Sequence, residues 1–164
     1  MDRLWTPWRL PYVVGDAKSE RCVFCDAFER SDDDQTLILF RGAAAFVILN
    51  LFPYNNGHLM VLPNRHIGSL AAATRAELCE MFELTQRAEV ALNEAYAPHG
   101  MNVGINLGKP AGAGILDHVH IHVVPRWNGD TNFMTIVGGT RVLPEELPQT
   151  AGRLRPIFER LARP

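Results

Sequence analysis

Three histidines, His118, His120 and His122, alternate with Val119, Ile121 and Val123 in the stretch DHVHIHVVPRW. Half of the chain's six histidines therefore fall within five positions. In an extended strand, successive side chains point to opposite faces. The aliphatic residues would meet a core, and the three imidazoles would line a face that opens into a pocket. Three readings compete. A solvated polar face is one, although threonine, serine or lysine would serve it better than three clustered rings. A shared metal is another, but a catalytic zinc asks for a further protein ligand and an open position. In the third, a neutral imidazole nitrogen attacks phosphorus to form a phosphoramidate, while its neighbours bind phosphate oxygens or orient it. Like-charge repulsion within the cluster lowers at least one pKa below the ordinary ~6.5, which keeps the rings neutral until an anionic substrate arrives.

Other residues carry chemistry nearby in the text. Cys22 and Cys25, in CVFC, are spaced to place two thiolates on one tetrahedral ion, or else are reduced core thiols. A redox pair is disfavoured because no βαβ pattern surrounds them. The run KPAGAG over 109–114, with Gly112 and Gly114, offers backbone N–H groups that can approach a phosphate closely, and Lys109 adds charge. Read alone, it is an ordinary loop. Cys79, inside a helical pattern, reads as a small buried hydrophobe. His99, beside Pro98, reads as an exposed loop residue.

The elements that must position these residues follow from periodicity. Leu37–Phe40 and Ala44–Asn50 read as a hairpin around Arg41-Gly42, and His58–Leu62 as a third strand ending at Pro63. Thr74–Tyr96 is the clearest helix. Thr74 and Glu77 form a capping-box pair, and Leu78, Met81, Phe82, Thr85, Ala88, Leu92 and Ala95 mark one face. Met101–Leu107 is a strand that leads through the glycine-rich loop into the histidine strand. A terminal helix spans Pro144 to Ala162, interrupted near Pro148 and bent near Pro156. Residues 1–20, with Trp5 and Trp8, form an aromatic, proline-broken arm. A catalytic domain over 21–140 follows, with a helical tail of the same domain over 141–164. The class is α+β, with a mainly antiparallel sheet.

Length and composition bound the function. A chain of 164 residues with 47% hydrophobic content holds one domain with a real core. A net charge of −2 gives no basic field for a long nucleic acid. No apolar run is long enough to span a membrane, and residues 1–16 lack the apolar centre of a signal peptide. The expected location is the cytoplasm, where three cysteines would stay reduced.

The triad, the upstream ILNLFPYNNGHLMVLPNRH, the segment NLGKPAGAGILDH and the trailing PRWNGDTNFM together resemble the histidine triad (HIT) superfamily. The similarity covers roughly residues 20–140, and the bacterial hydrolase and diadenosine-tetraphosphate phosphorylase branch is the part it resembles. The resemblance implies an antiparallel sheet with one long helix and a C-terminal helix. It implies His120 as nucleophile on the α-phosphorus of an adenosine nucleotide and His122 as its partner in proton transfer. It places Asn50 at a ribose, Ile48 and Leu59 at the base, and Asn106 at a phosphate or sugar. Asn50 also suits a plain turn. The resemblance completes a structural zinc site from Cys22, Cys25, His66 and His118, one ion per chain. Magnesium could accompany a polyphosphate substrate. Relatives carry glutamine or serine in the loop where this chain has Ala113, Gly114 and Ile115. His58 is expected to buttress the histidine strand, and Trp127 to stack on a base or fill an interface. A homodimer through the long helix and the Met101–Leu107 strand is implied as well. Two other functions fit the residues: a nucleoside phosphoramidate hydrolase, and a non-catalytic, zinc-stabilised nucleotide-binding protein.

Overall fold

The computed structural model describes residues 21–131 and 143–163. The aromatic arm over 1–20 lies outside them, as do residues 132–142, where the predicted tail begins. Among the described residues the chain runs α1 (Val23–Glu29), α2 (Asp33–Thr36), β1 (Ile38–Arg41), β2 (Ala45–Leu49), β3 (Leu59–Pro63), α3 (Arg75–Tyr96), β4 (Gly100–Ile105), β5 (Ile121–Arg126) and α4 (Leu147–Ala162). The strands form one sheet in the order β1-β2-β3-β5-β4, antiparallel at every pairing. This is the expected α+β architecture, with the long helix and the C-terminal helix both present.

The sheet has two unlike faces. Ala45, Val47 and Leu49 on β2, Leu59 and Val61 on β3, and Ile121 and Val123 on β5 pack against Met81, Leu84, Ala88, Ala91 and Leu92 of α3 and Leu154 and Phe158 of α4. The opposite face holds Phe46, Ile48, Met60 and Leu62, covered by Phe24 from α1. Both sides of β2 and β3 are therefore buried. That is why these strands read as unbroken apolar runs rather than alternating ones. β4, at the sheet edge, is largely exposed. No helix among the described residues is long and apolar enough to cross a membrane.

The long helix begins as the sequence predicts. Thr74 Oγ1 accepts the Glu77 N–H at 3.2 Å, and Glu77 accepts the Thr74 N–H at 2.7 Å. The buried face of α3 differs from the prediction. Phe82 is 59% exposed and Cys79 is exposed, whereas Glu77, Leu84 and Ala91 are buried. The apolar stripe is rotated because two carboxylates point inward at their own partners. Glu80 accepts the N–H groups of Ala43, Ala44 and Ala45 at the start of β2. Glu77 pairs with Arg65 at 2.9 Å. Pro148 does not interrupt α4; it occupies the first turn, where a missing N–H costs nothing. Pro156 lies within the helix.

The Arg65 guanidinium, with the Thr74 N–H, holds the Glu77 carboxyl down at about 2. Glu77→Gln should lower stability by about 1 kcal/mol at neutral pH, the scale of a lost cap. The folded carboxyl has the lower pKa, so its contribution is present above the unfolded value near ~4.5 and disappears as pH falls toward 2. Thermal melts of both proteins across that range check this, with the two curves converging in acid.

Candidate active site

β5 and the extended segment before it carry the histidines, and their neighbours decide what each ring can do. Regular pairing starts at Ile121, so His118 and His120 lie in an extended lead-in that Val119 pins by donating its N–H to Ile67 O at 2.7 Å. Val119, Ile121 and Val123 are buried on the helix side, as alternation predicts. The histidine side is far less open than a solvated face. His118 is fully buried and His120 is 5% exposed, and the Phe24 ring lies 5.6 Å from the first and 5.4 Å from the second.

The hydrogen bonds assign a proton to each imidazole. His120 Nδ1 is 2.9 Å from the His118 carbonyl oxygen, so Nδ1 bears the proton and donates. Its Nε2 keeps a lone pair. Tyr54 N–H donates to His58 Nδ1 at 3.0 Å, which leaves the His58 proton on Nε2. That nitrogen donates to His122 Nδ1 at 3.0 Å, so His122 carries its proton on Nε2. The rings of His120 and His122 meet edge to face at 4.7 Å. A bare nucleophilic nitrogen and an N–H donor thus stand side by side. Burial lowers the pKa of His120, and burial together with the neighbouring His120 brings His122 down to about 4. Both shifts favour neutral rings at physiological pH. His58 buttresses the triad as expected, presented by a turn at Gly57, where φ is +77° and an added Cβ would meet Leu92 at 3.0 Å.

The first triad histidine faces elsewhere. His118 Nε2–H donates to Pro63 O at 2.9 Å, which turns the Nδ1 lone pair toward Cys22 Sγ at 3.4 Å and Cys25 Sγ at 3.6 Å. His66 Nδ1 lies 3.4 Å from Cys25 Sγ. The four ligand atoms of Cys22, Cys25, His66 and His118 all lie within 4.8 Å of one another. Tetrahedral zinc with bonds of about 2.0–2.3 Å sets S···N edges near ~3.6 Å, so the donor set and its spacing fit a metal ion. Burial and the adjacent Cys22 raise the Cys25 thiol to about 11. A bound cation would be what makes both sulfurs thiolates.

The remaining predicted residues divide. Ile48 lies on the histidine side beside Met60 and Phe24. Leu59 does not: it is fully buried against α3, because a one-residue step along a strand reverses the face. Met60, opposite His122 in the ladder, occupies the place expected of Leu59. Asn50 accepts the Phe52 N–H at 2.9 Å, which is the turn role, and also sets its amide 3.3 Å from His58 Nδ1. Asn106 and Gly112 are adjacent, since a Cβ on Gly112 would lie 3.7 Å from the Asn106 amide. The loop is not an open cradle at its centre. The N–H groups of Ala111, Gly112 and Ala113 turn back onto the carbonyls of Gly108 and Lys109. His99 is exposed as expected, and its Nδ1 accepts the Asn128 N–H at 2.9 Å. Tyr54, Phe24, Asp130 and Arg126 were not singled out from the sequence. The segments PYNNGH and PRWNGD already held three of them. Asp130 joins Arg126, the Trp127 N–H and Asn55, tying those two segments together beside the triad.

A HIT domain model matches residues 32–129, the stretch that contains the triad and its supports. The chain belongs to the HIT family. It is 41% identical over 158 residues to the AP-4-A phosphorylase of Mycobacterium tuberculosis, covering 92% of this chain and 80% of that protein. It is 30% identical to the bis(5'-adenosyl)-triphosphatase of Dictyostelium discoideum, over 76% of this chain and 87% of that one. A zinc-bound histidine triad family protein from Mycobacterium smegmatis superposes with a TM-score of 0.68 at 28% identity, covering 87% of this chain and 96% of that structure.

Proposed function

We propose that this HIT protein cleaves dinucleoside polyphosphates, with diadenosine tetraphosphate as the type substrate, through a nucleotidyl-histidine on His120. The observation that carries the reading is the pair of opposed tautomers: His120 offers a bare Nε2 and His122 offers Nε2–H within one contact. The 41% identity to an AP-4-A phosphorylase supports the substrate class.

The Nε2 lone pair of His120 attacks the α-phosphorus. The bond from that phosphorus to the bridging oxygen breaks, and the outgoing nucleotide takes the electron pair. Positive charge grows on the His120 ring, where Nδ1–H points at the His118 carbonyl. His122 Nε2–H donates to a phosphoryl or bridging oxygen as negative charge grows there. An oxygen of inorganic phosphate, or of water, then attacks the same phosphorus and the P–N bond breaks. The His122 tautomer favours this reading over a phosphoramidate hydrolase. Loss of its Nε2 proton would leave an imidazolate, because Nδ1 already accepts from His58. A polyphosphate departs as an anion with a conjugate pKa near ~6 and needs only a hydrogen bond, whereas an amine must be given a proton.

Cys22, Cys25, His66 and His118 would hold one zinc ion. With four protein ligands it would be structural, fixing α1 and the loop at His66 to the histidine strand. Asn50, Ile48 and Met60 would bind the nucleoside end, and Asn106 would reach a phosphate. The half-exposed Phe82, Val90 and Val103, together with the edge strand β4, support a homodimer that covers them. Light scattering should then report about twice the 18.3 kDa chain mass. The reading places the enzyme in the cytoplasm.

Product analysis of diadenosine tetraphosphate incubated with and without phosphate tests the function. ADP with ATP in phosphate, and AMP with ATP in its absence, would support the shared nucleotidyl intermediate. An intact substrate in both arms would refute it and leave the non-catalytic binding protein.

A further inference from the structure

A cavity of about 240 Å³ lies beside His122 on the edge-strand side of the sheet. Its lining includes Tyr54, Asn102, Gly104, Asn106, His122 and Arg126. Gly104 stands opposite His122 in the β4–β5 ladder, and nothing among the described residues lies within 4 Å of where its Cβ would be. The floor is therefore bare backbone, flanked by the two asparagines. Tyr54 forms a wall, with its ring 5.9 Å from that of His122. Arg126 is the cationic residue of the lining. It donates to Asp130 at 2.6 and 2.9 Å and to Asn102 at 2.7 Å. A guanidinium has five N–H donors, so two remain that no described residue takes.

β5 lies between β3 and β4. The apolar residues Ile48, Met60 and Phe24 are on the β2–β3 side of the triad, and the cavity is on the β4 side. A phosphorus held at His120 has an apolar patch for its nucleoside in one direction and, in the other, a trough in which these polar groups stand beside Val103 and Val124. We propose that this trough is the leaving-group subsite, in which Arg126 and Asn102 hold phosphate oxygens of the outgoing nucleotide and Tyr54 walls it. The assignment rests on the polyphosphate reading above. Asp130 balances the charge of Arg126, so recognition comes from directed N–H donors rather than from net charge. Loss of such charge-assisted hydrogen bonds corresponds to a fall of about 10- to 100-fold.

The test compares kcat/KM for diadenosine tetraphosphate with that for the p-nitrophenyl ester of AMP, whose leaving group has no phosphate. Arg126→Gln removes the fork, and Asn102→Asp sets a carboxylate on an exposed strand position. Both should lower the tetraphosphate-to-ester ratio at least tenfold. A general disturbance of the Asp130 cluster would depress both substrates together, and that result would overturn the subsite. A ratio unchanged in both variants would overturn it as well. If the wild-type protein cleaves both substrates and only the ratio fails to move, the subsite falls and the polyphosphate reading stands. If the wild type cleaves the ester but not the tetraphosphate, the polyphosphate reading falls and takes the subsite with it.

Discussion

His120→Gly should lower kcat/KM for diadenosine tetraphosphate by more than about 10⁴-fold, beyond the range expected for loss of one acid–base group. The residue supplies the atom that bonds to phosphorus, and without it water must attack an unactivated phosphoanhydride directly. Nucleotide affinity should change little, while the melting temperature should fall by a few degrees, because the ring is buried against Phe24 and His122. The space left by the ring admits free imidazole, which should restore part of the turnover. Steady-state kinetics with and without added imidazole, together with trapping of labelled nucleotide on the wild-type protein, measure this. A variant that retains a tenth or more of wild-type turnover would exclude His120 as the nucleophile.

Cys22→Ser should remove zinc and lower the melting temperature by about 10 °C or more. A four-ligand site binds metal only when folded, so its binding free energy becomes folding free energy. In a domain of this size each kcal/mol moves the midpoint by roughly 2–4 °C, and loss of even a few kcal/mol gives a shift of that order. Cys22 also immediately precedes α1, whose Phe24 covers the triad, so loosening at Cys22 would reach the floor of the site. Elemental analysis and thermal melts of wild-type, Cys22→Ser and chelator-treated protein decide it. Wild-type protein prepared without chelators and found free of metal would remove the ion from this account.

Much of the scaffold was legible because burial leaves a periodic imprint. The hairpin, the third strand, the capped helix and the histidine strand follow from apolar spacing and from the Thr74–Glu77 pair. On the long helix, the difference comes from partners distant in sequence. Phe82 is exposed, while Glu77 is buried against Arg65 and the half-buried Glu80 takes the backbone N–H groups of residues 43–45. Leu59 packs on the α3 side and its neighbour Met60 on the histidine side, because one step along a strand reverses the face. The four residues that could hold a metal span nearly a hundred positions, and no local spacing joins CVFC to His66 or His118. Proton placement on the rings was the least legible feature. It depends on the carbonyls of Pro63 and His118 and on the Tyr54 amide, groups every sequence possesses, so no residue type announces them.

His118 serves two masters with different atoms. Its ring faces the cysteines, while its main-chain carbonyl holds the proton of His120. Every amino acid has that carbonyl. A descendant could trade His118, Cys22, Cys25 and His66 for an apolar cluster, and the nucleophile would still be aimed, provided Val119 kept its bond to Ile67. A bound metal would in this sense be a fastening, separable from the chemistry it would steady.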